Sequence, residues 1–463
     1  MLSWVRCTCS WMTFVASVLL APTIVTAQVV APTPLPAVVT KAAKSPEVAD
    51  LEKRLAAIEQ ELAKAKKADD PLKPVPAAGS PFTVKPMGRV HTDMVSISQD
   101  ADNKALFGDL ANGAEIRRAR LGAFGEGWEV LAYRFDVDFV TRDANTLERP
   151  TIFDAYLDIL HLPVIGNLRA GHFREPFSME RLDSSNDQPF LERSTAILAL
   201  TPFRNLGVMA FNCNEAKTGT FAIGAFREAT NEFGEDIGDN GGQAVTSRAT
   251  WLLYYDEPAQ GRYLTHLGAS YSYRNPNVKT RRFAQTPEVN LRQGLLTFPA
   301  FVDTGLIATE SFQNLAAEWS TVWGPFSAQA EYVGTLVDQL GNPNLYLHGA
   351  YAQLTYFLTG ENRNYNRDLG IYQGVAPYTN FFCVDGVRGL CLGRGAWEAV
   401  ARYSWIDLRS QNINGGELTN VTFGLNWYFA TRNRLMFNYI HAFLDRGLYS
   451  NADIFSTRLQ INF

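Results

Sequence analysis

The last ten residues constrain this chain most. Ile454-Phe455-Ser456-Thr457-Arg458-Leu459-Gln460-Ile461-Asn462-Phe463 is an alternating strand, with Phe455, Leu459, Ile461 and Phe463 on one face and Thr457 among them. Ser456, Arg458, Gln460 and Asn462 fall on the other. A strand rotates each successive side chain to the opposite face. A terminus with one fatty face and one polar face fits a strand between lipid and water, the unit of an outer-membrane β-barrel.

The same two-residue period recurs from Phe82 onward. Leu131, Tyr133, Phe135, Val137 and Phe139 alternate with Arg134, Asp136 and Asp138, and Phe153, Ala155, Leu157 and Ile159 with Asp154, Tyr156 and Asp158. Segments 267–273, 397–405 and 421–429 repeat the pattern. About 380 residues, at roughly 10 per tilted strand plus turns and loops, make on the order of sixteen strands. A barrel that wide leaves a water channel. A secreted sandwich or solenoid also alternates, but a sandwich domain seldom exceeds about 250 residues, and 82–463 holds no internal linker. The expectation is an all-β transmembrane antiparallel barrel. Short turns at 162–167, 323–325 and 430–433 should lie at one end, and long polar loops near 175–203, 228–244, 274–311 and 359–394 at the other.

Ahead of the barrel, Arg6, an apolar stretch from Trp11 to Leu20 and small residues at Val25-Thr26-Ala27 read as a signal peptide over 1–27. Residues 28–44 form a Pro/Ala-rich linker. From Ser45 to Asp70, Val48, Leu51, Leu55, Ile58 and Leu62 keep heptad spacing, read either as a short coiled coil or as one amphipathic helix. Residues 71–81 form a second linker. Beyond the first residues no apolar run reaches the length of a spanning helix. A net charge of −5 with no basic block argues against nucleic acid as a partner.

The chain has no GxSxG, HExxH or P-loop motif, and no Cys/His spacing that would hold zinc. Neither an enzymatic activity nor a cofactor is therefore expected, although a barrel acting as scaffold for an enzyme or adhesin stands as the alternative to a channel. Cys383 and Cys391 bracket a glycine-containing loop and read either as a small disulfide or as two free thiols, with Cys213 left over.

The arginines carry the functional expectation. Arg118 and Arg120 share a face at the start of the second strand, with Arg117 at the rim or on a twist. Arg134, Arg402 and Arg458 also lie on polar faces, and Arg174 stands beside His172 on an alternating segment that reads as lumen wall. The region from Phe82 has only four lysines: Lys85, Lys104, Lys217 and Lys279. Arginine forks bind phosphate and carboxylate, and rings of arginine favour anions in a pore. The same residues could instead pair with Asp136, Asp138, Asp154 and Asp158 and stiffen the wall.

At these residues the chain resembles the phosphate-selective porin O and P family. The resemblance lies in Arg117-Arg118-Ala119-Arg120-Leu121, in Gly171 through Leu182 with Ser184-Ser185-Asn186-Asp187, in Glu192-Arg193-Ser194, and in 357–365 and 397–408. It implies a sixteen-stranded trimeric barrel in the bacterial outer membrane whose third loop, around 175–200, folds inward. It implies that Arg117, Arg118 and Arg120 line a path for small anions such as phosphate, and that the partners are outer-membrane lipid and two further copies of the chain. The family's pore loop often carries lysines; here its cations are Arg181 and Arg193.

Overall fold

The computed structural model describes residues 75–76, 81–141, 149–228, 241–293, 296–386 and 389–463. The segments expected to be a signal peptide, a first linker and a heptad-spaced helix, and most of the expected second linker, lie outside the described residues. Sixteen antiparallel strands form one closed barrel. The first six are β1 (Thr83–Gln99), β2 (Gly113–Gly127), β3 (Leu131–Thr141), β4 (Arg149–Leu162), β5 (Gly166–Arg174) and β6 (Arg204–Cys213). Next come β7 (Gly219–Glu228), β8 (Gly242–Tyr255), β9 (Tyr263–Asn275), β10 (Ile307–Trp323) and β11 (Phe326–Gln339). The last five are β12 (Leu345–Phe357), β13 (Ala396–Ser410), β14 (Ile413–Ala430), β15 (Asn433–Asp445) and β16 (Tyr449–Asn462). Each strand pairs with the next, and β16 closes the cylinder on β1 in a register running from Arg89↔Asn462 to Gln99↔Ala452. Closure leaves no strand edge to meet lipid.

The alternation maps onto the two faces as expected. On β16, Leu459 points outward at 41% exposure while Arg458 points inward at 1%. Phe423 lies outward halfway along β14, paired with Ala401 and Tyr439. Phe423→Arg should therefore cost about 2–4 kcal/mol, the usual penalty for a cation on the lipid face at mid-membrane. The check is a lower urea midpoint on folding into vesicles.

Two- to seven-residue turns join the strands at the end that carries the barrel's termini, here the turn end. The loops around 175–203 and 276–306 leave from the opposite, loop end. The stretch 358–395 does not. It joins β12 to β13 at the turn end, so its expected place among the loops of the far side is wrong. Loop length suggested that side; the number of strands traversed puts it on the other. Its first part, residues 358–382, forms a strap that includes a small ribbon, Asn364–Asn366 with Ile371–Gln373. A second ribbon in this loop pairs Cys383 with Leu392 and Val384 with Cys391, so the two cysteines are not cross-strand partners.

Both inward loops fill one side of the cylinder. The pore loop, 175–203, carries two short helices, α1 (Met179–Leu182) and α2 (Thr195–Leu200). A buried loop must satisfy its own backbone, and here the barrel wall supplies the donors. Asn314 donates to Leu200 O at 2.7 Å, Asn426 to Pro189 O at 2.8 Å, Arg434 to Gln188 O at 2.6 Å and Gln460 to Asn186 O at 2.9 Å. Glu331 accepts from the Met179 and Glu180 N–H groups at the start of α1. The loop from 276 to 306 packs Phe283, Leu291, Phe298 and Phe301 against Ile197, Leu347, Ile406 and Ile440. Those last three are inward residues of β12, β13 and β15, so the inner wall there is an apolar core. Open lumen remains along the wall formed by β2 to β7.

Candidate functional site

Two β-bulges shape the open wall. The register of β1 on β2 runs from His91↔Arg118 to Thr92↔Ile116 and skips Arg117. The extra residue lets Arg117 and Arg118 both turn inward, with Arg120 two positions on; a bulge re-aims a side chain in just this way. The register of β3 on β4 runs from Asp136↔Asp154 to Val137↔Ile152 and skips Phe153. Phe153, which alternation assigned to the lipid face, is thereby turned inward and is 8% exposed.

These bulges assemble a constriction. The Arg120 guanidinium lies 3.6 Å from the Phe153 ring centre and that of Arg204 lies 4.2 Å away, so two cations share one ring. Arg120 Nε donates to Asp138 at 2.6 Å. Arg204 forks onto Asp154 at 2.9 and 3.1 Å. Arg134 reaches Asp136 at 3.2 Å, and Arg169 forks onto Asp158 at 2.7 and 2.8 Å. Across the lumen, Glu192 of the pore loop accepts from Arg117 at 3.0 Å, Arg118 at 3.0 Å and Arg458 at 2.9 Å. Burial pushes the Glu192 carboxyl up, but the three guanidiniums together hold it well below the usual carboxylate range.

Two chambers meet here. The upper one, toward the loop end, has a volume of about 390 Å³. Its lining includes ten arginines (117, 118, 120, 174, 181, 193, 204, 274, 281 and 282) and three acids, Glu115, Asp138 and Glu192. The lower one, of about 270 Å³, is lined by four arginines (134, 169, 174 and 248), three acids (Asp154, Asp187 and Asp368), several aromatic side chains and the strap. Arg174 lines both. Three of these arginines, Arg174 at the end of β5 and Arg181 and Arg193 of the pore loop, are held by carbonyl groups. Arg174 donates to the Leu182 and Asp183 carbonyls, Arg181 to Pro202 O at 2.9 Å, and Arg193 to Glu180 O at 2.8 Å and Asp183 O at 2.6 Å. A carbonyl fixes a guanidinium without cancelling its charge, so these cations keep their field.

Of the arginines expected to line the path, Arg117, Arg118, Arg120, Arg174, Arg181 and Arg193 border the upper chamber, and Arg134 and Arg174 the lower. Arg402 borders neither. It is 3% exposed and ties the two inward loops to β13 through Glu180 at 3.2 Å and Glu288 at 2.5 Å. Its alternation looks the same as that of Arg134; only the loop lying over it makes it a tether. Asp136, Asp138, Asp154 and Asp158 all face inward and are paired with arginine, as set out above. Sequence reasoning missed Arg169, Arg204, Arg274 and Arg281, and did not assign Glu192 a role. Arg169 shares a strand face with Gly171 and Phe173, opposite Leu168 and Ala170, and was legible. Arg204 sits at the loop boundary and carried no signal.

The strap meets the pore loop at Asp183. Tyr372 N–H donates to Asp183 Oδ1 at 3.0 Å, and Arg363 Nη2 lies 3.6 Å from Oδ2 while its guanidinium covers the Tyr372 ring. The far side of the strap is fixed by Arg367 to Glu257 at 2.8 Å and by the Leu369 and Gly370 carbonyls, which accept from Arg248. Burial lifts the Asp183 carboxyl to about 7, with Asp187 adding to the rise and Arg363, the Tyr372 N–H and Arg193 opposing it. A value above the free one of roughly 3.9 means that the strapped state favours the neutral acid. That contribution is complete below about pH 4 and is lost as pH rises through about 7. Proteolytic cleavage within 364–373 should accelerate between pH 6 and 8.5, and Asp183→Asn should flatten that profile.

Comparison with known proteins gives the family. The family model described as phosphate-selective porin O and P matches residues 84–463. Porin O of Pseudomonas aeruginosa is 26% identical over 392 residues, covering 77% of this chain and 83% of that protein. An uncharacterized protein of Caulobacter vibrioides is 26% identical over 399 residues, covering 81% of this chain and 74% of its own. Among solved structures, an anion-selective porin from Comamonas acidovorans superposes with a TM-score of 0.48 at 13% identity, covering 82% of this chain and 100% of that one. With the family model spanning the barrel from β1 to β16, the chain belongs to the phosphate-selective porin O and P family and is a porin of the outer membrane.

Proposed function

We propose that this porin prefers anions, phosphate among them, and conducts them along the wall of β2 to β7. One observation carries the reading: ten arginines against three acids border the upper chamber, and three of those arginines are fixed by carbonyl groups. An incoming anion exchanges hydration for guanidinium contacts, and Asp138 and Glu192 compete with it for the same cations. That competition keeps binding weak enough for release, as conduction requires. The barrel acts on this reading as a channel and not as an enzyme or adhesin scaffold, since each of the four inward aspartates is engaged by arginine. We propose a homotrimer as the assembled form, on the pattern the family implies, with residues 45–70 adding a short coiled coil. The test is the zero-current potential in a KCl gradient across a planar bilayer, repeated with potassium phosphate. Potentials of the sign set by chloride and by phosphate are expected; a potential set by potassium would remove the anion preference.

A further inference from the structure

The inner faces of β5 to β8 run against the rule that a wetted lumen is polar. Phe173 of β5, Met209 and Phe211 of β6, Ala222 and Phe226 of β7 and Ala244 of β8 form one contiguous apolar cluster, with Tyr156 of β4 packed on it. No loop core covers Tyr156, Phe211 and Ala222, which are only half-buried and border the lower chamber. Cations stand directly beside this surface. The Arg169 guanidinium is 3.8 Å from the Tyr156 ring centre and 5.1 Å from that of Phe211. Arg174 Nε is buried and has no hydrogen-bond partner among the described residues; Arg134 Nε, buried too, has only Asp154 Oδ2 at 3.5 Å, without hydrogen-bond geometry. The chamber's volume of about 270 Å³ is several times the roughly 30 Å³ that one water occupies in the liquid. Water gains few hydrogen bonds along such a wall, and a bare inorganic anion would use its cations and leave its rings untouched.

We propose that the lower chamber is a resting site for an organic anion: a single anionic head against Arg134 and Arg174, and a flat apolar body against Tyr156 and Phe211. This rests on the anion preference proposed above and adds the class of solute. Charge argues for the head: four arginines border the chamber against three acids, the Arg174 Nε–H is unsatisfied and the Arg134 Nε–H is held only loosely by Asp154, so an oxyanion can take both. The aromatic wall argues for the body, because rings stack face to edge at little cost in freedom. Small inorganic anions still pass, but only the ring-bearing anion engages both features and dwells.

Benzenesulfonate and methanesulfonate test this. Both are permanently ionised and share one head, so only the body differs. The full-length porin in a planar bilayer, carrying chloride current, should be half-blocked by benzenesulfonate at a concentration about tenfold or more below that of methanesulfonate, a gap of about 1.4 kcal/mol. Phe211→Asn should close most of that gap, and Phe211→Leu, which keeps the bulk and loses the ring, should close part of it. If Phe211→Asn forms no channels, the leucine variant alone gives the reading. Equal half-blocking concentrations in the wild type, or an unchanged gap in every variant that conducts, would overturn the proposal. The KCl gradient keeps the two readings apart: a chloride-type potential with no difference between the sulfonates sinks only the ring site, whereas a potassium-type potential sinks the anion preference itself.

Discussion

Replacing Arg118 and Arg120 together by alanine should drive the KCl reversal potential toward that of a cation channel, with a fall of at least about tenfold in the anion-to-cation permeability ratio. Both side chains leave β2 just after the bulge at Arg117 and border the upper chamber. Two unit charges about 4 Å apart interact by roughly 4 kcal/mol at an effective dielectric of 20. Solvent in the channel screens much of this, but a third of it is already about tenfold in a permeability ratio. The change also frees Asp138, whose partner Arg120 sits at 2.6 Å, so a cation is removed and an acid unmasked at the same place. The two effects separate by mutation: Arg120→Ala with Asp138→Asn should shift the potential less than Arg120→Ala alone. An unaltered potential in the double alanine variant would mean that these arginines brace the wall and do not face the ions.

Glu192→Gln should weaken the folded pore more than any other single change near the constriction. Its carboxylate is the common acceptor of Arg117 and Arg118 from β2 and of Arg458 from β16. Arg458 keeps Asp93, at 2.6 Å on both nitrogens, and the Leu191 carbonyl. Arg118 loses its carboxylate and is left buried, and breaking a buried ionic cluster by deleting one member costs about 3–5 kcal/mol. The expected result is a clear drop in the urea midpoint together with a larger anion preference, since positive charge is released into the upper chamber. The pH dependence has a definite sign. Glu192 is held well below its free value of roughly 4.3, so its stabilising contribution is present above that value and is lost as pH falls through the folded one. The glutamine variant should lack that part of the acid sensitivity. A wild-type midpoint in the variant would show that the pore loop is held by its other tethers.

Much of the barrel was legible because its determinants are local. The terminal strand, with Leu459 and Ile461 on one face and Arg458 and Gln460 on the other, declares both the element and its environment. Arg117, Arg118 and Arg120 border the upper chamber. What escaped depends on partners far away in sequence. The bulge at Phe153 exists only relative to the register of β3, so strict alternation sent that ring to the lipid. Arg402 and Arg134 look alike along their own strands, and they part company because the pore loop covers one and leaves the other at a chamber. The strap was placed at the wrong end because its length resembled a surface loop; an unbroken count of strands was needed, and β6 and β7 alternate too weakly to be counted with certainty from sequence. The apolar inner face of β5 to β8 escaped for the same reason.

The seam between β1 and β16 has a consequence for how the molecule comes into being. Asp93 and Arg458 lie 365 positions apart and bond across that seam, so among the most distant parts of the chain are neighbours in the finished wall. Contacts of such wide separation form slowly. Until they do, two rows of amide groups stand open, and hydrocarbon tolerates no such gap. Sealing and insertion must therefore advance together, and a chain that loses its final strand should stall as an open ribbon and never become a leaky cylinder.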